Sequence, residues 1–178
     1  MTMKIREFIA VRRKNVNFYT NEYSSEFMPM ITRKEKRMSD RLQANIRLIN
    51  DGIKFSSSSG DNPEIISDYY PPLGNNEGYK PLELFLISFG TCVSGTILPL
   101  LRRMNKTIRS YILTIEGIRK TEHPTGFSTI LLTMRLQSPD TSEEELQKIL
   151  TLAKQKFCPV WSMIKQNVLV RSEVQIEL

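Results

Sequence analysis

The chain has 178 residues, of which 40% are hydrophobic and 25% are charged. This balance is typical of one globular domain with enough apolar material for a core, so disulfide bonds are not needed for stability. The net charge of +6 would suit a nucleic-acid-binding protein, but residues 1–40 hold nine Lys/Arg against five Asp/Glu and supply most of the excess. No helix-turn-helix, zinc-finger or RNP pattern accompanies the basic runs, and such runs are more commonly a solvated flank. We therefore do not expect nucleic acid as a partner.

The N-terminal segment lacks the apolar core of a secretory signal. The longest apolar stretch, residues 82–101, is interrupted by polar residues, glycines and a proline, which indicates that it is too mixed to span a membrane. We therefore expect a cytoplasmic protein with reduced thiols and no membrane partner.

Residues 1–40 are interpreted as a basic N-terminal extension or docking arm, and residues 41–178 as the folded domain. Alternation of apolar and polar residues over 42–48 predicts a half-buried strand. Asn50-Asp51-Gly52 predicts a hairpin turn, because glycine adopts positive φ cheaply. Further strands are predicted near 53–58 and 64–69, followed by a loop over 71–78.

Pro81 opens a long predicted helix, whose apolar residues recur every three or four positions as far as Met104. Pro99 should kink or break it. Two alternating segments around 111–115 and 130–136 predict strands, and a capping box at 141–145 starts a second helix. That helix should end at Cys158-Pro159, where a short third helix can begin, and the last strand should cover 168–177. The order predicts an α+β fold, with helices segregated against antiparallel strands.

Two cysteines are the residues most able to carry chemistry. Cys92 lies in the middle of the long helix, on or beside its apolar stripe, and the flanking Gly90 and Gly95 predict close packing against the backbone there. Cys158 lies at a helix N-terminus, a position that lowers a thiol pKa. Two core cysteines in a cytosolic protein are nevertheless usually inert. Two thiols and the distant His123 do not form a tetrahedral set, so we expect no metal and no cofactor.

Two motifs resemble those of the OsmC/Ohr family. Residues 81–92, PLELFLISFGTC, resemble the family's helix pattern P-x-E-L-L ending in G-x-C, and residues 156–160, KFCPV, resemble its Y/F-C-P-V motif. Each motif alone is weak, but both occur at a suitable separation and in the family's element order, from about residue 42 to the end.

The resemblance implies a fold and a reaction. The family forms an intertwined homodimer, in which antiparallel sheets pack on two long helices. In its peroxidase members, which act as antioxidants in stress responses, the first cysteine attacks a small hydrophobic hydroperoxide and becomes a sulfenic acid. The second cysteine then forms a disulfide, and an external dithiol restores the pair. By this resemblance Cys92 and Cys158 are the catalytic residues, attacking and resolving respectively.

The chain departs from the family pattern at two positions. Active members carry an Arg in the first hairpin, whereas the turn Asn50-Asp51-Gly52-Ile53 has none. They also carry a Glu directly after the helix-opening Pro, where Leu82 stands here. Glu83 is the candidate supporting residue, although one helical residue turns it by about 100°. Arg41, Arg47, the N-terminal arm or a partner chain could supply the missing cation.

These departures leave three hypotheses open. The first is a thiol-dependent hydroperoxide reductase. The second is a divergent OsmC-like protein with weak or no peroxidase activity, acting in thiol redox or small-molecule binding. The third is a protein that binds nucleic acid or a partner through residues 1–40.

Overall fold

The computed structural model describes residues 41–177, so the predicted N-terminal arm lies outside the described residues. These residues fall into two compact units, 41–45 with 58–62 and 46–57 with 63–177. In the smaller unit the Ser59 hydroxyl donates to the backbone carbonyl of Gln43 at 2.9 Å, and Gly60 adopts a φ of 59° that favours glycine. The predicted boundary between residues 40 and 41 stays a prediction.

The first sheet contains three short strands in the order β1 (Asn45–Leu48), β2 (Phe55–Ser58) and β3 (Ile65–Ser67). The predicted turn between the first two is held by Asn50, whose Oδ1 accepts from the backbone N–H of Gly52 and of Lys54 at 3.1 and 3.0 Å. All four residues of β1 are exposed, including Ile46 at 65%. The alternation predicted one buried face here, and that prediction is wrong for the described chain.

A buried carboxylate shapes the loop that leads into the first helix. Asp68 accepts hydrogen bonds from the backbone N–H groups of Tyr69, Asn75 and Glu77 at 2.7 to 3.0 Å. These hydrogen bonds lower the pKa of Asp68, and the bond from the backbone N–H of Glu77 has the largest effect. A side chain at Gly74 would collide with the Asp68 carboxylate, so the loop can close around it only with glycine at that position.

The long helix α1 covers Pro81–Arg103 and begins at the predicted proline. It continues past Pro99, so the predicted break does not occur there. Ile97, Leu100 and Leu101 are fully buried around the proline. Their packing offsets the hydrogen bond that proline cannot donate.

Composition alone does not distinguish α1 from a membrane span. It is long enough to cross a bilayer, and its most apolar window has a mean hydropathy of 1.9. The prediction that this stretch is too mixed in composition to span a membrane is therefore wrong. The helix nevertheless packs against the second sheet and the later helices, as the core helix of a globular protein does.

The second sheet contains β4 (Ser110–Arg119), β5 (Phe127–Gln137) and β6 (Leu169–Glu177), in that order. Strands β4 and β5 are antiparallel, whereas β5 and β6 are parallel. The chain between β5 and β6 forms three helical segments, α2 (Glu143–Leu152), a π-helix (Ala153–Phe157) and α3 (Pro159–Ile164). This crossover returns the chain to the same end of the sheet, which produces a parallel pair. The α+β class is confirmed, with one parallel pair among the antiparallel ones.

The predicted capping box starts α2. The Ser142 hydroxyl accepts from the backbone N–H of Glu145 at 3.2 Å, and the Glu145 carboxylate accepts from that of Ser142 at 3.0 Å. Lys106, beyond the end of α1, lies 2.9 Å from the same carboxylate. This ion pair ties the end of one helix to the start of the next.

The core lies between α1, the inner face of the second sheet and α2 with α3. Its fully or almost fully buried apolar side chains are Phe89, Val93, Ile97, Leu100, Leu101, Ile130, Leu132, Met134, Leu136, Leu146 and Trp161.

Candidate functional site

The two cysteines meet in the fold. The sulfur atoms of Cys92 and Cys158 are 2.7 Å apart, although 66 residues separate them in sequence. Both are free thiols. The structure therefore brings together the pair of residues that the two motifs single out.

Close packing two residues before Cys92 sets the distance between α1 and the second sheet. A side chain at Gly90 would come within 2.6 Å of the Ile115 Cδ1 on β4, so the missing Cβ lets the helix approach the sheet. At Gly95 nothing lies within 4 Å of the corresponding position. The prediction of close packing is thus confirmed at Gly90 and wrong at Gly95 for the described chain.

Cys158 is positioned by the junction between the π-helix and α3. Its backbone N–H donates to the carbonyl of Ala153 at 3.0 Å, a bond that spans five residues and closes the π-turn. Its sulfur accepts from the backbone N–H of Trp161 at 3.4 Å, so it caps α3. The sequence predicted the break and the short helix, but not the π-helix, since a π-turn differs from an α-turn by one residue and leaves the apolar spacing nearly unchanged.

An aromatic contact runs beside the sulfur contact. Phe89, three residues before Cys92, packs edge-to-face against Trp161, three residues after Cys158, with ring centroids 5.5 Å apart and planes at 89°. Both aromatic side chains are buried. Two contacts therefore join the same two elements, one between the rings and one between the thiols. The spacing of three residues on each helix is visible in the sequence, but the pairing of Phe89 with Trp161 is not.

Burial makes Cys158 a weak acid. The loss of hydration, reinforced by the hydrogen bond and the like charge of Cys92, raises the pKa of Cys158 to about 12. The backbone N–H of Trp161 acts in the opposite direction but is the smaller effect. The N-terminus of α3 does lower this pKa, as predicted, but α3 is short, covering Pro159–Ile164, and its effect is smaller than that of burial. The net direction is therefore opposite to the predicted one.

The candidates for the missing cation and carboxylate lie elsewhere. Arg47 is on the exposed first hairpin, where its guanidinium is 3.6 Å from the carboxylate of Glu64. Glu83 closes the N-terminal turn of α1, since its carboxylate accepts from the backbone N–H of Lys80 at 2.9 Å. A role for Arg41, the arm or a partner chain stays a prediction.

A second polar pair links α1 to the sheet near the cysteines. The hydroxyls of Ser94 and Tyr111 are 3.0 Å apart, and burial raises the pKa of Tyr111. The Thr96 hydroxyl also donates to the backbone carbonyl of Cys92 at 3.2 Å. Within residues 41–177 no group of three or more His, Cys, Asp or Glu side chains is arranged to hold a metal ion.

Comparison with known proteins settles the family. The profile of the family described as OsmC-like protein matches residues 74–173, more than half of the chain. The chain belongs to the OsmC-like family. It is 21% identical over 138 residues to the protein YhfA of Escherichia coli K12, which covers 76% of this chain and 98% of YhfA.

Solved structures agree with the fold. An OsmC-like protein from Mycoplasma pneumoniae superposes with a TM-score of 0.68 at 20% identity, covering 79% of this chain and 100% of that one. An organic hydroperoxide resistance protein OsmC from Legionella pneumophila superposes with a TM-score of 0.59 at 17% identity, covering 76% and 96%. At these identities the likeness establishes the fold of this OsmC-like protein.

Proposed function

We propose that this protein is a thiol-dependent reductase of organic hydroperoxides. The observation that supports the proposal most strongly is the contact between the sulfur atoms of Cys92 and Cys158, because a sulfenic acid is captured as a disulfide only when a second thiol lies beside it. Structural neighbours named organic hydroperoxide resistance proteins lend further support.

The reaction needs three steps. The Cys92 thiolate attacks the distal peroxide oxygen, the O–O bond breaks, and the alcohol leaves with a proton while Cys92 becomes a sulfenic acid. The Cys158 thiol attacks that sulfur, which forms the disulfide and releases water. An external dithiol then reduces the disulfide by exchange and is itself oxidised to a disulfide. The two electrons taken by the peroxide thus come from the dithiol.

Exposure and acidity support this division of roles. Cys92 is partly exposed, so a peroxide can approach its sulfur, whereas Cys158 is 2% exposed. With its pKa raised to about 12, Cys158 remains protonated at neutral pH and is poorly suited to attack the peroxide first. It acts only after Cys92 is oxidised, because the sulfenic acid then lies beside its sulfur.

The proposal includes the assembly and setting. Residues 41–178 form the OsmC-like domain and residues 1–40 an appended arm, in a cytoplasmic homodimer. Ile87 on α1 is 50% exposed, and Ile46 and Leu48 on β1 are exposed as well, so two elements present apolar side chains that a second copy would cover.

Dithiol-dependent consumption of cumene hydroperoxide tests the proposal. We expect turnover by the unaltered chain, none by Cys92→Ser, and a single turnover without a catalytic cycle by Cys158→Ser. Thr91→Ser is the matched control, since it removes only a methyl group from an exposed side chain beside Cys92 and should retain turnover. Absence of turnover with any organic hydroperoxide would refute the proposal.

The second candidate is a divergent OsmC-like protein with little peroxidase activity, acting in thiol redox or small-molecule binding. It is favoured by one observation: Arg47, a candidate for the cation that the family places beside the attacking cysteine, lies on the exposed first hairpin, 3.6 Å from the carboxylate of Glu64. Slow labelling of Cys92 by a sulfenic-acid reagent after peroxide treatment would support this candidate, and fast labelling would eliminate it.

A further inference from the structure

A cavity lies beside Trp161, where α3 ends and β6 begins. Its volume is about 340 Å³, within the range of small-molecule sites. Its walls include the side chains of Lys154, Trp161, Lys165, Asn167, Leu169 and Val170. No step of the proposed reaction uses it.

The charged part of the wall has one sign. Lys154 comes from the π-helix and Lys165 from the end of α3, and no acidic residue lines the cavity. Among residues 41–177 neither ammonium group forms an ion pair. Two lysines directed to one cavity without a carboxylate favour a bound anion.

The rest of the wall combines polar and apolar residues. Gln166 and Asn167 supply amide groups, the buried Trp161 borders the cavity, and Leu169 and Val170 supply aliphatic side chains at the start of β6. Leu169 is 54% exposed, so its side chain is open to a bound molecule. An occupant that suits this wall has an apolar body as well as a charge.

We propose that this cavity binds a small organic anion, a carboxylate that carries an aliphatic or aromatic body. The lysines hold the carboxylate, and Leu169 and Val170 contact the body. The site does not depend on the proposed peroxidase reaction. It is nevertheless connected to the cysteines, because Trp161 also contacts Phe89 and donates its backbone N–H to the Cys158 sulfur.

The chain contains a single tryptophan, so its intrinsic fluorescence reports directly on this wall. The experiment titrates the full chain with octanoate, and in separate arms with inorganic phosphate, which has charge without an apolar body, and with 1-octanol, which has the body without charge. We expect a saturable fluorescence change with octanoate and binding at least about tenfold weaker for the other two probes.

Charge variants locate the site. Lys154→Gln and Lys165→Gln should each weaken octanoate binding by about tenfold, the effect of losing one charge-assisted contact. Lys156→Gln is the matched control, because Lys156 lies in the same π-helix, is exposed and does not line the cavity. We expect that variant to bind as the unaltered chain does.

Three results would overturn the proposal. The first is the absence of a saturable change with octanoate at millimolar concentration. The second is equal weakening by the control and the two cavity variants, which would indicate a general charge effect. The third is equal affinity for phosphate or octanol, which would exclude the amphipathic anion as the occupant.

Discussion

The two faces of α1 differ in how completely the described chain covers them. On one face Phe89, Val93 and Ile97 are fully buried against the sheet and the later helices. On the other face Ile87, Thr91 and Gly95 are exposed, at the same helical spacing. The buried face holds Cys92 against Cys158 through contacts within the chain, whereas the open face presents apolar and small residues that suit the proposed second copy.

Truncating the buried face should have the largest effect. Phe89→Ala removes a fully buried ring and its contact with Trp161, so we expect a loss of about 3–5 kcal/mol in the free energy of unfolding. Urea denaturation measures it. Thr91→Ala on the open face, measured in an Ile87→Glu background that keeps the chains apart, should change the same quantity by less than about 0.5 kcal/mol. Equal losses would show that the two faces do not differ as described.

Charge on the open face tests the second copy. Ile87→Glu places a carboxylate in the proposed interface, where burying it is costly, so we expect the dimer to dissociate in sedimentation experiments. Ile112→Glu is the control, because Ile112 is 54% exposed on β4 rather than on α1. A homodimer that persists unchanged in the Ile87 variant would remove this face from the interface.

The two glycines of α1 should respond differently to alanine. Gly95→Ala adds a methyl group where nothing lies within 4 Å, so in the Ile87→Glu background it should raise the free energy of unfolding by about 1 kcal/mol. Gly90→Ala should raise the free energy of unfolding by less, or lower it, because the added Cβ would press on the side chain of Ile115. Thermal unfolding of both variants measures the difference, and equal gains would contradict the packing described for the buried face.

Alkaline pH should have the smallest effect on the free energy of unfolding. The folded-state pKa of Cys158 is raised above its ordinary value of 9.0, so the reduced protein keeps full stability below that value and loses stability as pH rises toward about 12. At about pH 10 only part of this loss should be visible in urea denaturation. The Cys158→Ser variant should lose less stability over the same pH interval. An identical decline in both proteins would show that Cys158 does not contribute to the pH dependence.

Sequence reasoning succeeded where a local pattern carries the information. The start of α1 at Pro81, the capping box at Ser142 and the break at Cys158 all follow from backbone chemistry within a few residues. The two cysteine motifs also predicted the pair that the fold brings together. These features need no knowledge of tertiary contacts.

The features that sequence reasoning missed depend on distant residues. The parallel pairing of β5 and β6 follows from where the crossover returns the chain, and the contact of Phe89 with Trp161 follows from how α3 packs on α1. The pKa of Cys158 was predicted in the wrong direction, because burial by the folded core outweighs the short helix that the sequence shows. The exposed β1 also shows that alternation predicts a face to be covered without showing what covers it.

The central claim is that Cys92 and Cys158 form a working redox pair. Intact-mass spectrometry after one equivalent of cumene hydroperoxide tests it most directly. We predict the loss of two hydrogen atoms per chain, a Cys92–Cys158 linkage in the peptide map and recovery of both thiols with a dithiol. A chain that keeps both thiols, or that accumulates sulfinic acid at Cys92 without a disulfide, would contradict the account.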